Sequence, residues 1–432
     1  MRKALLGLVL AAGVAHANGR APLTNGIFFK PNDAHSLYVR TTFGLLISHD
    51  DGCTFDWVCE QNIGYGGQFD PKYAIATDGS IFATTFTGLR VSRDGGCSFQ
   101  NIGPGIWVDA IDIGPTGEVW IGTAESGQPN DVYSSKDNGG TFVSKGMQSP
   151  TIWWKAVKVA PSNAQRVYIS GYQVAGTQPD GGQMPPTAHF LRSDDDGAHW
   201  TPSALTGVMF GPTPIVLAAA VDPANADVVY MTSLGANPPN GDRVYRSTDA
   251  GMTWSEVVAT TDPVRDVVIR DANTVFVATQ MGGSFVSTNG GVSFSAMASP
   301  PQLECLGKSP DGTLIGCGAN WTPDFMAVAK SSDATTWTKV WRFVELAGPL
   351  TCPDGTAEHD TCDLGQWENI KAQFGATGPT CGANAGEAPP AGDPPPKKKS
   401  SGCDAGAGAP LGALGLVLAV LVLTRVKRRS RQ

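Results

Sequence analysis

SRDGGCSF, residues 92–99, is one of seven renderings of the same polar phrase. SHDDGCTF begins at 48, SKDNGGTF at 135, SDDDGAHW at 193, STDAGMTW at 247 and STNGGVSF at 287, and a worn copy, SSDATTW, begins at 331. Measured from the serine, successive copies lie 44, 43, 58, 54, 40 and 44 residues apart. A repeat of that length marks one supersecondary unit, and for β-rich units it marks a propeller blade. The fifth unit reads IVLAAAVDP, DVVYMTS, DRVYRS, the turn, then TWSEVVA; the third reads WVDAIDIG, EVWIGT, DVYSS, the turn, then TFVS. Each holds four short β-rich runs parted by Asp, Pro, Asn and Gly. The expectation is an all-β fold, a seven-bladed β-propeller of four-stranded antiparallel blades, over residues 24–345.

The turn has a physical reading of its own. Its glycine (Gly52, Gly96, Gly139, Gly197, Gly251, Gly291) permits the positive φ of a tight hairpin. The residue two places earlier (Asp50, Asp94, Asp137, Asp195 and Asp249, with Asn289 in the sixth copy and Asp333 in the worn one) accepts backbone N–H bonds. The closing Phe or Trp is placed to plug between blades. The spacing S-x-D-x-G-x-[ST]-[FW] resembles the Asp-box, or BNR repeat, of the sialidase, sortilin, xyloglucanase and photosystem II assembly factor propellers. That resemblance implies a structural hairpin between third and fourth strands, away from the ligand face. The run Asp194-Asp195-Asp196 lacks the alternating ligands and closing Glu of a calcium loop, so neither a metal nor a cofactor is expected.

Both ends read as processing segments. Residues 1–17 have the charged, apolar and Ala-His-Ala parts of a secretory signal. After the repeats come a small Cys-bearing cap (346–388), with a helical spacing in GQWENIKAQFG, and a Pro/Lys/Ser-rich stalk (389–402). The last segment, 403–432, holds Cys403, an apolar stretch over 405–424 long enough to span a bilayer, and a basic tail. It resembles the MYXO-CTERM sorting tag of myxobacterial surface proteins, which implies Cys403 as the lipid-bearing residue. The expected location is the cell surface, outer membrane or periplasm-facing side, tethered by the C-terminus.

Net charge is −8, and without Arg2, Lys3 and the tail cations Arg425, Lys427, Arg428, Arg429 and Arg431 it is −15. That excludes nucleic acid, which needs a basic footprint. Nine cysteines in an exported chain imply disulfides. Cys403 stands apart. Cys305 and Cys317 flank the Ser309-Pro310-Asp311-Gly312 turn as a cross-strand pair. For Cys53, Cys59, Cys97 and the later group Cys352, Cys362, Cys381, either one bridge joins the groups or two thiols stay free.

The long steps come from 172–188 and 233–242, both connections from a second to a third strand. Extra residues accumulate where function lies, so the face opposite the recurrent turns is the expected ligand face. Trp107, Trp153, Trp154 and Trp321 collect at that level, with Met209 and Phe210, and Asp109, Arg265 and Asp266 add charge near the channel mouth. Trp153 and Trp154 point oppositely in a strand, so one of them is core. The sialidase resemblance implies an arginine triad, but the early F/Y-R-I-P signature is missing. The xyloglucanase resemblance implies two propellers, and this chain has length for one. No G-x-S-x-G elbow or HExxH occurs. The reading is a monomeric, non-catalytic propeller that binds a glycan or an envelope or surface protein. The alternatives are a glycoside hydrolase using Asp109 with Asp266, and an assembly or adhesion scaffold.

Overall fold

Seven four-stranded antiparallel blades follow one another along the chain, each with its strands in chain order across the blade. The computed structural model describes residues 20–381, apart from 68, 178–180 and 282. The first blade comprises Thr24–Phe29, Leu37–Thr41, Gly44–Ser48 and Asp56–Val58, and the last comprises Cys305–Lys308, Leu314–Cys317, Val328–Ser331 and Thr338–Trp341. The first strand of each blade is innermost, and its inner-facing side chains line a central channel of about 1230 Å³. Between blades lie apolar layers, such as Trp120, Trp154, Val157 and Ile169 between the third and fourth. The fold is the seven-bladed β-propeller that the repeat spacing leads one to expect.

The recurrent turns are tighter than their glycine alone requires. Two successive residues are left-handed, as at Asn138 (φ 55°) and Gly139 (φ 84°), at the centre of a turn closed by the Gly140 N–H on the Asp137 carbonyl at 3.2 Å. The serine is the hub. Buried Ser92 donates to Asp94 at 2.7 Å and accepts from the Gly96 N–H at 2.8 Å, and Asp94 Oδ1 accepts the Ser98 N–H at 3.0 Å. Asn289 makes the same acceptor contact with the Ser293 N–H at 3.0 Å.

Beyond the seventh blade the chain returns to the first. Gly348–Pro349 pairs in parallel with Asp56–Val58, adding a fifth strand to the outer edge of the first blade. The chain then runs through a π-helical turn, Glu358–Asp363, into a helix, Leu364–Phe374, whose Trp367, Ile370 and Phe374 pack on the layer shared by the first and last blades. The segment after the seventh blade is thus a belt that runs from the outer edge of the first blade to the layer it shares with the last.

Its cysteines correct the pairing arithmetic. Cys53 joins Cys381, Cys59 joins Cys362 and Cys97 joins Cys352, so three bridges, not one, link the two groups, and no thiol of either is free. Cys305 is joined to Cys317 across a strand pair. Four disulfides fit an oxidising compartment outside the cytoplasm. Among the described residues no helix is long and apolar enough to cross a membrane. The expected signal segment, stalk, Cys403 and anchor all lie outside the described residues.

Candidate functional site

Strand direction sorts the connections by face. The recurrent turns and the first-to-second-strand turns share one face; the second-to-third-strand loops and the crossovers between blades share the other. The two long insertions fall on that second face, and their described residues include strand. In the fourth blade, Asn163–Gln173 and Thr187–Ser193 carry a further small hairpin, Gly176–Thr177 with Gln183–Met184; in the fifth, Val229–Asn237 and Gly241–Ser247 extend to meet at Asn237 and Gly241.

Five aromatic rings form a continuous run across the second, third and fourth blades at this face. Phe69 and Phe86 have centroids 4.5 Å apart, Phe86 and Trp107 4.9 Å, Trp107 and Trp153 5.8 Å, and Trp153 and Tyr172 5.7 Å. Phe86 is 49% exposed, and the other four are part-buried. The indole nitrogens of Trp107 and Trp153 are covered and have no hydrogen-bond partner among the described residues. Trp154 points the other way, into the blade, where it is 1% exposed and donates to the Met147 carbonyl at 3.1 Å.

A charged layer lies directly under the rings. The Lys155 ammonium sits over the Trp107 ring at 4.7 Å and the Trp153 ring at 6.0 Å, and is ion-paired with Asp109. Lys72 reaches the same carboxylate at 3.3 Å and donates to the Asp109 carbonyl at 2.6 Å. Asp109 is 4% exposed and is engaged by both lysines. Arg265 and Asp266 line the channel, where Arg265 pairs with Glu304 at 3.1 Å and with Gln280. Asp266 accepts the Leu306 N–H at 2.8 Å, and burial pushes its carboxyl up to about 6 against that bond and nearby Arg40, Lys158 and Arg265.

The remaining expected residues lie elsewhere. Phe210, 40% exposed, stands beside exposed Met209 on the crossover into the fifth blade, outside the run of rings. Trp321 packs edge-on against Phe343 at 5.5 Å, in the aromatic group that the C-terminal helix joins through Phe374. Phe69, Phe86, Tyr172, Lys72 and Lys155 were not among the sequence candidates. Phe86 was findable: TTFG at 41–44 and TFTG at 85–88 are the same second-to-third-strand turn in two blades.

Carboxylates on this side are engaged in holding the scaffold. Asp70 binds Arg20 through both oxygens at 2.7 and 2.8 Å. Asp131 accepts the Met147 N–H and Asp242 the Val264 N–H, each at 2.8 Å, so each ties one blade to the segment leading into the next; farther along its strand, Asp112 accepts the Val159 N–H of the next blade's inner strand at 2.8 Å.

No family model matches the chain. The xyloglucanase of Hypocrea jecorina (strain QM6a) is 33% identical over 129 residues, which are 28% of this chain and 14% of that enzyme. An ancestral GH74 enzyme superposes with a TM-score of 0.53 at 14% identity, covering 74% of this chain and 46% of that structure. YCF48 from Cyanidioschyzon merolae superposes with a TM-score of 0.40 at 15% identity, over 63% of this chain and 84% of that one. The chain thus spans a small part of the curated relative it matches, and the structural likeness is one of fold.

Proposed function

We propose that this propeller is an exported, surface-tethered, non-catalytic carbohydrate-binding protein. Its ligand lies across the rings of Phe86, Trp107 and Trp153 on the face opposite the recurrent turns, which we take as Asp-boxes. The observation that carries the reading is the uninterrupted run of five rings above a fixed ion-paired layer: apolar platforms with a few immobile polar groups suit sugar faces. Hydrolysis by paired carboxylates needs one free acid and one free base or nucleophile at a fixed separation. Asp109 is committed to two lysines and Asp266 to a backbone N–H of the next blade, which favours binding without cleavage.

The test is a glycan-array screen of the full chain beside Trp153→Ala, with reducing-end release measured on every glycan bound. The expected result is retention by the parent, loss in the variant and no release. Release of reducing ends would make the protein a glycoside hydrolase. The exposed pair Met209 and Phe210 favours a second reading, docking of an envelope protein on the crossover into the fifth blade. Cross-linking from position 210 that survives Trp153→Ala would support it.

A further inference from the structure

The protein is acidic, yet one part of its channel wall is basic. A recess of about 190 Å³ opens among the second to sixth blades, and its charged lining is Lys72, Lys155, Lys158 and Arg265 with Asp266. Inner strands run from the ring-bearing face into the channel, so Lys155 and Lys158 lie two and five residues beyond Trp153 on the strand Ile152–Ala160. Lys155 belongs to both places: its ammonium lies over Trp107 and Trp153, and its side chain lines the recess. Lys72 and Lys155 are held by Asp109, and Arg265 by Glu304. Lys158 makes no hydrogen bond or ion pair within 4 Å among the described residues, and it lines both the recess and the main channel.

Three of the four cations are answered by Asp109 and Glu304, whereas Lys158 feels Asp112 and Asp266 only from beyond ion-pair distance, which leaves its ammonium open to an incoming anion. A water's share of liquid volume is about 30 Å³, so the recess admits one anionic group with its remaining hydration. We propose that this recess takes the negatively charged substituent of an acidic glycan whose sugar rings lie on Trp107 and Trp153. This rests on the carbohydrate-binding reading and narrows it to anionic polysaccharide. Carboxylate and sulfate ester share the required chemistry, with Lys158 as the ammonium left to meet either one.

Calorimetry on the full chain with three matched oligosaccharides tests this: a uronic-acid oligomer, a sulfated galactan oligomer and a neutral oligomer of the same length. Wild type, Lys158→Gln, Lys158→Arg and Trp107→Ala/Trp153→Ala are compared in low and high salt. The expected result is binding of at least one anionic oligomer about tenfold or more tighter than the neutral one. Lys158→Gln should remove that preference, Lys158→Arg should keep most of it, and salt should weaken it. The uronic and sulfated arms then identify the anion. Equal binding of neutral and anionic oligomers, lost only in the double tryptophan variant, would overturn the anionic assignment and leave the ring platform standing. Binding of none would overturn both. An unchanged thermal midpoint in Lys158→Gln excludes loss of fold as the cause.

Discussion

Glu358 is fully buried in the belt, and its Oε2 accepts the Asn62 side-chain amide at 2.8 Å and the Cys59 N–H at 3.3 Å. Burial pushes its carboxyl up to about 8, so the folded protein keeps the proton at neutral pH while the unfolded chain sheds it above about 4.5. The sign follows: this group's contribution is most favourable below pH 4.5 and is lost as pH rises to 8. Glu358→Gln keeps the acceptor and cannot ionise. Its free energy of unfolding should stay level from pH 5 to 8.5 where that of the wild type falls, the gap at high pH reaching about 1–3 kcal/mol. Parallel curves would refute the buried neutral acid. Single residues also show what a sequence conceals. Alternation says that Trp153 and Trp154 face opposite ways, but packing against the third blade decides which one is core. Phe43 and Phe86 occupy the same turn in adjacent blades, yet Phe43 lies under Phe374 and Phe86 is open. The cover comes from some three hundred residues downstream, beyond the reach of local pattern.

Among elements, the recurrent turn was the most legible, because its hydrogen bonds are made within eight residues. Its hub is the serine more than the acid. Ser92→Ala leaves the buried Gly96 N–H without its acceptor and should cost about 1–3 kcal/mol in denaturant unfolding. Asp94→Asn should cost little, since Asn289 already fills that role in the sixth blade. The reverse ranking would mean that the carboxylate's charge, not the hydroxyl, holds the turn. The fifth strand on the first blade was not legible. Gly348–Pro349 has no strand pattern of its own and is held by pairing to an edge from the other end of the domain.

For the whole molecule, the repeat count and the four-strand blade were readable, because blade length and turn chemistry are periodic. The closure was not, since three disulfides bridging 255 to 328 residues of chain record contacts that no window of sequence contains. Each closes a long loop, for which chain entropy allows up to about 5 kcal/mol, less whatever the others already restrict. Cys97→Ser/Cys352→Ser should therefore lower the thermal midpoint and speed proteolysis at the belt; an unchanged midpoint and cleavage pattern would show that ring closure does not depend on it. The ring platform was half legible: Trp107 and Trp153 stand out, while Phe69, Tyr172 and the lysines beneath need the blades superposed before they fall into line. The most direct measurement is the affinity of the full chain for its best array glycan, in wild type, Trp107→Ala/Trp153→Ala and Phe210→Ala. Stacking on two rings sets the expected loss at about a hundredfold in the double variant, with Phe210→Ala unchanged. Equal affinity in wild type and a folded double variant would contradict the account, and would move the ligand off the rings.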